Sequence, residues 1–258
     1  MWTMSARRGF TLVELLVVIA IIALLISILA PSLNAAKDLA KNTMCMTNLH
    51  AVALGLNLYS EANRGNIPPH FRNGAFPAAV YYTYCAFKGD EPVDPTDGLI
   101  GTSNVGRRSY GFVYTIGAIT EPGLLYCPLS PVAFGQFKTY PKPWGSAMPS
   151  EGIGTGHIRT SYMYNPNIND TCTAYTAGLQ LSTFDRYHPL TLDILCRSGT
   201  FGHTMGGYRW NMGYADGRAD SKGSPGITKL IQTDTFPDQA ENDWPAFNVL
   251  YQSLMEGK

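Results

Sequence analysis

The feature that most constrains this chain is an apolar run at residues 10–30, in which Glu14 is the only charged side chain. As a helix, the run is roughly 30 Å long, enough to cross the hydrocarbon core of a bilayer. A carboxylate in such a segment costs on the order of 2.5–3.5 kcal/mol near the bilayer centre, and less toward an end. A side chain that costly usually has a partner, so Glu14 is a candidate functional residue.

The start of the run carries a specific motif, Arg7-Arg8-Gly9-Phe10-Thr11-Leu12-Val13-Glu14. It resembles the processing site of type IV pilins and type II secretion pseudopilins, where a short basic leader ends in Gly before an apolar helix. The resemblance implies that a prepilin peptidase cuts between Gly9 and Phe10, and that the new Phe10 amine is methylated. It also implies that Glu14 pairs with the Phe10 amine of a neighbouring subunit, and it assigns Pro31 to a helix kink.

Three other interpretations of the apolar run stay open. A cleaved signal peptide would end near Ala36, although its apolar core would exceed the usual length of about 7–15 residues. An ordinary membrane anchor has the same length and composition as the run. A buried core helix would have to bury an apolar surface on all sides, and it fits the pattern least.

The composition indicates an exported, loop-rich domain after the helix. Charged residues make up 15 % of the chain, below the roughly 25 % of ordinary soluble domains, and the formal net charge is +0. No basic run follows the leader, so nucleic acid is not predicted as a partner. Gly, Pro and Tyr number 26, 17 and 15, which favours strands and turns over helices.

The sequence predicts four parts: a leader at 1–9, a membrane and assembly helix at 10–30, an amphipathic continuation at 31–65 and an exported head at 66–258. Pro31 should bend the helix, because proline lacks an N–H and clashes with the preceding turn. Apolar residues at steps of three and four mark the face that packs on the head: Met46, Leu49, Val52, Leu56 and Tyr59. The predicted fold class is α+β, with a long helix packed on a loop-rich head of antiparallel strands.

In the head, short apolar and aromatic runs alternate with Gly, Pro and Asn, as in strands joined by turns. The candidate strands are 80–87, 111–119, 123–127, 160–164, 190–195 and 208–214. In the last one, Trp210, Met212 and Tyr214 alternate with other residues and should share one face. Asp216 and Gly217 should then supply the positive φ angles of a two-residue type I′ turn, which makes a hairpin.

The five cysteines, at positions 45, 85, 127, 172 and 196, show no zinc-type spacing. Export permits disulfides, and we expect at least one in the head. Cys127 is an expected participant because it ends a strand-like apolar run. The other candidates are Cys85, Cys172 and Cys196, and the sequence leaves the pairing open.

Several later segments resemble a group of large pilin-like proteins with a processing-associated C-terminal domain. They include Cys45-Met46-Thr47-Asn48-Leu49, Leu125-Tyr126-Cys127-Pro128 and Ser161-Tyr162-Met163-Tyr164-Asn165. The group's His-x9-Asp-Gly signature corresponds here to His203, Asp216 and Gly217, with a longer spacing.

No hydrolase elbow, P-loop, dinucleotide-binding glycine motif or His-Glu-x-x-His string occurs, so neither an enzyme nor a cofactor is predicted. His203 and Asp216, with Asp193, form an acid–base hypothesis, but an Asp-Gly hairpin turn explains Asp216 better. A calcium site is a further hypothesis. Its acidic residues lack the alternating pattern of an EF-hand loop, which favours a solvated loop instead. They are Asp234, Asp238 and Asp243.

The resemblance of the N-terminal motif implies a structural subunit of a type IV pilus or a type II secretion-like pseudopilus. The basic leader predicts an inner-membrane protein with a cytoplasmic N-terminus and a periplasmic or extracellular head. The expected partners are prepilin peptidase, the membrane, and copies of the chain or other pilin-like subunits. The alternative is an exported enzyme or glycan-binding protein that uses the helix only as an anchor and needs neither Glu14 nor a free Phe10 amine.

Overall fold

The computed structural model describes residues 10–68, 85–88, 106–107, 109–130, 136–140, 144, 157–165, 180–194, 208–232 and 244–256. The chain divides into two compact units, with the boundary between residues 40 and 41. In the first unit, the described residues are Phe10, Thr11 and the beginning of helix α1 (Leu12–Ala62). The second unit holds the rest of α1 and all strands described here.

Helix α1 is continuous from Leu12 to Ala62 and includes Pro31, where a bend stays a prediction. The part of α1 in the second unit carries the expected apolar face. Four of its five predicted residues are buried, and Met46 is half-buried. Arg64 and Gly65 follow the helix with φ of 58° and 87°, so the chain turns sharply where the helix ends.

The described residues of the second unit form two antiparallel sheets. The smaller has the strand order β2 (Gly106–Arg107), β1 (Cys85–Lys88) and β3 (His157–Arg159). The larger has the order β4 (Tyr162–Tyr164), β5 (Pro189–Asp193), β6 (Arg209–Tyr214) and β7 (Ala219–Gly223). Strands β1, β4, β5 and β6 overlap predicted strands, and the α+β class is confirmed.

The larger sheet separates two apolar cores. On one side, Tyr162, Tyr164 and Leu190 pack with the buried face of α1. On the other side, Met163 packs with the alternating β6 residues Trp210, Met212 and Tyr214 against α3 (Pro225–Gln232) and α4 (Trp244–Glu256). The alternation along β4 and β6 is what assigns their side chains to the two cores.

Strand β6 turns its small and polar residues toward α1. A Cβ on Gly213 would lie 2.7 Å from Thr191 Cγ2 and 2.8 Å from the Leu49 carbonyl oxygen, so the strand can approach the helix backbone only because this residue is glycine. On the same face, Asn211 Nδ2 donates to Asn42 Oδ1 at 2.8 Å. These contacts hold the sheet directly against the helix.

Two predicted strands are helical instead. The segment 111–119 forms α2 (Tyr110–Thr115), and the segment 123–127 begins with a 3-10 turn at Pro122–Leu125. An apolar run this short fits a buried strand and a buried helical turn equally well, so its period does not distinguish them. The 3-10 turn starts at a proline, and the Glu121 carboxylate accepts the Gly123 N–H at 3.0 Å. Further 3-10 turns lie at Phe137–Thr139 and Leu181–Thr183.

Candidate functional site

The first turn of α1 is closed by reciprocal hydrogen bonds between Thr11 and Glu14. The Thr11 backbone N–H and hydroxyl both donate to Glu14 Oε2, at 2.8 and 2.7 Å. In return, the Glu14 N–H donates to Thr11 Oγ1 at 3.2 Å. This is a capping box, which satisfies backbone donors that have no partner inside the helix. It also places the carboxylate at the positive end of the helix dipole.

Residues 12–33 of α1 lie in the first unit; they are exposed on all sides and have Glu14 as their one charged residue. Its large apolar side chains between residues 10 and 33 range from 44 % exposed at Val18 to 80 % at Leu12. Among the described helices, α1 alone is long and apolar enough to cross a membrane, a test that a signal sequence also passes. An apolar surface this large needs lipid or other protein to cover it.

Thr11 is the residue of this site that the sequence interpretation did not single out. The sequence does contain a pattern that indicates this role of Thr11, because Thr-x-x-Glu directly before an apolar run is the signature of a capping box. The processing motif assigns Glu14 a partner in another subunit, whereas within one chain its carboxylate already accepts from Thr11. Any bond to another subunit must therefore add to these bonds or replace them.

The turn between β6 and β7 contains Asp216 and Gly217. Gly217 has φ of 84°, and Asp216 does not have a positive φ. The Gly217 N–H donates to the Tyr214 carbonyl at 2.9 Å, and the Tyr214 N–H donates to the Arg218 carbonyl at 2.9 Å. This is a type I turn followed by a bulge, so the predicted type I′ turn is wrong. The longer loop needs only one left-handed residue, and glycine takes that position.

The same turn is bonded to α1. His50 Nδ1 hydrogen-bonds with the Gly217 carbonyl, and Asn57 Nδ2 donates to the Ala215 carbonyl at 2.9 Å. Asp216 stays exposed and accepts the Arg218 backbone N–H at 3.0 Å. These partners give the Asp-Gly pair a structural role as the point where the hairpin meets the helix.

A disulfide joins Cys45 of α1 to Cys127, with Cα atoms 5.3 Å apart. The participation of Cys127 was predicted from the sequence, whereas Cys45 was not among the predicted candidates. Close by, Asn48 Nδ2 donates to the Tyr126 carbonyl at 3.3 Å. The helix and the segment after the 3-10 turn are therefore bonded both covalently and by a hydrogen bond.

The acid–base hypothesis finds no support among the described residues. Asp193 is buried and accepts the Asn211 backbone N–H at 2.7 Å, beside the middle of β6, whereas Asp216 lies in the turn beyond its end. No three His, Cys, Asp or Glu side chains in the described segments are placed to share a metal ion. The remaining predicted site residues lie outside the described residues: Gly9, Cys172, Cys196, His203, Asp234, Asp238 and Asp243.

Comparison with known proteins points to the same end of the chain. Residues 4–30 match a family model described as the prokaryotic N-terminal methylation motif. The chain is 27 % identical over 126 residues to the type II secretion system core protein G of Klebsiella michiganensis, an alignment that covers 46 % of this chain and 89 % of that protein. It is 42 % identical over 60 residues to the type IV wide pilus major component PilA4 of Thermus thermophilus, covering 23 % of this chain and 46 % of that protein. No solved structure matches the chain significantly.

Proposed function

We propose that this pilin-like chain is a structural subunit of a type IV pilus or a type II secretion-like pseudopilus. The observation that carries the proposal is an exposed apolar helix that begins with a methylation motif and keeps one carboxylate, Glu14, in its first turn. Such a helix needs lipid before assembly and other subunits afterwards. Both relatives carry the names of components of such assemblies, which supports a structural role rather than a catalytic one.

Prepilin peptidase is the proposed processing partner. It cuts after Gly9, and the new Phe10 amine is then methylated. A methylated amine keeps its positive charge, so each mature helix carries a cation at Phe10 and an anion at Glu14. Each is costly in lipid when unpaired, and pairing between neighbouring subunits offsets much of that cost. Thr11 holds the Glu14 carboxylate at the helix end where a neighbour's amine can reach it.

The proposed location is the inner membrane, with the N-terminus in the cytoplasm. Arg7 and Arg8 precede the apolar run, and basic residues keep the adjoining end of a membrane helix cytoplasmic. Residues 10–30 then lie in lipid, and residues 31–65 lead to a periplasmic or extracellular head at 66–258. The disulfide between Cys45 and Cys127 fits an oxidising compartment.

The deciding measurement is mass spectrometry of the N-terminus, on protein from cells with an active prepilin peptidase. We expect the mature chain to begin at methylated Phe10, and a Gly9→Leu variant to keep Met1. A start near Ala36 would instead identify a cleaved signal peptide. An intact Met1 in the unaltered protein would identify an unprocessed anchor, and both results would overturn the proposal.

A further inference from the structure

A cavity with a volume of about 400 Å³ lies where three parts of the second unit meet. They are the end of α1, the 3-10 turn at Leu181–Thr183 and the turn between β6 and β7. Small-molecule sites typically have volumes of roughly 300–1,000 Å³. The processing motif lies in the first unit, so the proposed function gives this cavity no role.

Hydrogen bonds hold the walls of the cavity together. The Leu181 N–H donates to the Gly65 carbonyl at 2.8 Å, which fixes the 3-10 turn to the chain just after α1. On another side, Asn57 of α1 donates to the carbonyl of Ala215, which lines the cavity, at 2.9 Å. The cavity is therefore formed without a ligand, and a preformed site lowers the ordering cost of binding.

Ser60 brings a hydroxyl without a partner to this cavity. The residue lines the cavity and is only 3 % exposed. Its backbone carbonyl accepts from the N–H groups of Asn63 and Gly65, whereas none of the described residues hydrogen-bonds with its hydroxyl. Buried polar side chains are nearly always hydrogen-bonded, so this exception needs an explanation. A ligand that exchanges a hydrogen bond with Ser60 supplies one.

The exposed part of the lining carries charges of both signs, at Glu61, Asp216 and Arg186. A second guanidinium stands beside them, because Arg218 Nε lies 4.0 Å from Asp216 Oδ2. The formal charges of these four side chains cancel, so the site has no net attraction for a cation or an anion. Glu61 forms no ion pair or hydrogen bond with a described residue, and Arg186 uses one donor on the Tyr187 hydroxyl, at 2.6 Å. The lining therefore offers acceptors and donors side by side.

Apolar side chains share the lining with these polar groups, at Leu181, Phe184 and Ala215. A ligand that fits both kinds of surface must combine hydrogen-bonding groups with C–H groups. A sugar ring does so, because its hydroxyls donate and accept while its C–H groups pack on apolar side chains. A simple ion would make no use of the apolar side chains, and an alkyl chain would make no use of the polar ones.

We propose that this cavity binds a neutral saccharide unit. Sugar hydroxyls exchange a hydrogen bond with Ser60 and donate to the carboxylate of Glu61, and Arg186 donates to sugar oxygens. The apolar side chains of the lining pack on the C–H groups of the ring. The proposal goes beyond the filament role, because it gives the head a ligand that assembly does not require.

Saturation-transfer NMR on the full-length, processed chain tests the proposal, in a detergent whose headgroup is not a sugar. The neutral probes are the methyl glycosides of glucose, galactose, mannose and N-acetylglucosamine. The charged probes are glucosamine, a cation, and N-acetylneuraminic acid, an anion. We expect at least one neutral probe to bind, and to bind more tightly than either charged probe. Binding by none of the four neutral probes, or tighter binding of a charged one, would overturn the proposal.

Variants of the lining locate the bound sugar. Ser60→Ala removes the hydroxyl that has no partner in the protein, and Glu61→Gln removes the unpaired carboxylate. Each should weaken binding roughly five- to tenfold and leave the melting temperature unchanged. The matched control is Glu256→Gln, which alters an exposed carboxylate of α4 outside the lining and should bind the sugar as the unaltered protein does. Unchanged affinity in both cavity variants would overturn the assignment to this cavity.

Filament yield keeps this proposal separate from the proposed function. Ser60→Ala should form filaments in normal amounts while binding the sugar more weakly. Filaments from an unaltered chain that binds no neutral probe would reject the saccharide site and leave the filament subunit standing.

Discussion

The carboxylate of Glu14 has one partner in its own chain and a proposed one in the next. Thr11 donates to it twice, at 2.8 and 2.7 Å. A carboxylate accepts about four hydrogen bonds, so capping its own helix leaves capacity for an amine from a neighbour. The two roles differ in their need for charge, because glutamine also serves at the N3 position of a capping box, the position that Glu14 occupies.

Substitution of Glu14 can therefore separate the two roles. We expect Glu14→Gln and Glu14→Ala both to insert into the membrane, because losing the carboxylate makes the helix more apolar. Both should fail to form filaments, because neither can pair with a charged Phe10 amine. The measurement is filament yield after shearing, against the amount of chain in the membrane fraction. Filaments from the Gln variant alone would show that Glu14 acts by capping rather than by charge.

His188 is the residue that should set a pH dependence of stability. Its ring centroid is 5.0 Å from that of Phe184 and 6.3 Å from that of Tyr251, and its Nε2 hydrogen-bonds with the Asn165 carbonyl at 3.0 Å. Burial lowers the pKa of His188, and the bond to Asn165 and the charge of Asp185 only partly oppose that shift. The folded protein therefore takes up this proton at a lower pH than the unfolded chain does.

The sign of the effect follows from this difference. The stabilising contribution of neutral His188 is complete above the unfolded pKa of about 6.5, and it is lost as the pH falls through the lower folded pKa. We expect the melting temperature to drop on acidification and to drop less in His188→Gln, which has no charge to gain. Thermal melts of both proteins across the acid range check this. An identical pH profile for the two would contradict the assignment to His188.

At the scale of elements, α1 and the β6–β7 hairpin are joined by hydrogen bonds and by a close approach of their backbones. The helix supplies His50 and Asn57 to the carbonyls of the turn, and the strand supplies Gly213 where the two backbones approach. The left-handed Gly217 completes the turn beside Leu54. Changes in this hairpin should therefore act through folding and docking on the helix.

Two variants of the turn distinguish structure from chemistry. Gly217→Val should destabilise the head by about 1–3 kcal/mol, because a β-branched residue would take a positive φ next to Leu54. Asp216→Asn should change stability by less than about 1 kcal/mol, because it loses an exposed ion pair and can still accept the Arg218 N–H. Thermal melts and a filament assay on both variants provide the comparison. A folded Asp216→Asn protein that has lost function would give Asp216 a chemical role and overturn the purely structural account.

At the scale of the whole molecule, the second unit depends on two cores and on the link between Cys45 and Cys127. The cores lie on opposite sides of the larger sheet. One face of the sheet packs on α1, and the other packs on α3 and α4. Both disulfide cysteines are buried in the core that contains α1. The bond therefore fixes the helix within the core rather than closing a surface loop.

Removing this disulfide should be costly. It joins residues that are 82 positions apart, and closing a loop of that size in the unfolded chain corresponds to a stabilisation on the order of 4 kcal/mol. We expect a Cys45→Ala and Cys127→Ala double variant to unfold at lower denaturant, and reductant to shift the unaltered protein but not the variant. Non-reducing peptide mapping should recover the linked peptides. Two free thiols at these positions in exported protein would contradict the pairing.

Patterns within a few residues were enough to predict several features of this protein. The apolar run, the packed face at Leu49, Val52, Leu56 and Tyr59 and the alternation along β6 all depend on local spacing, and the structure has each of them. The N-terminal motif was also sufficient for the pilin-like interpretation, which the matched methylation motif and both relatives support. Such features can be predicted from the sequence because the residues that define them are close together in the chain.

Other features were decided by the tertiary structure alone. The pairing of Cys45 with Cys127 depends on which distant segments meet, and no spacing rule supplies that. The run at Tyr110–Thr115 is helical rather than extended. Its first residue, Tyr110, is buried, and the Tyr110 hydroxyl hydrogen-bonds with Thr191 of β5. The turn that contains Gly217 is the longer type with a bulge, and two of its carbonyl groups are hydrogen-bonded to side chains of α1. The period of a short apolar run does not distinguish a helix from a strand, and the partner of a cysteine is not a local property, so contacts between residues far apart in sequence decide such features.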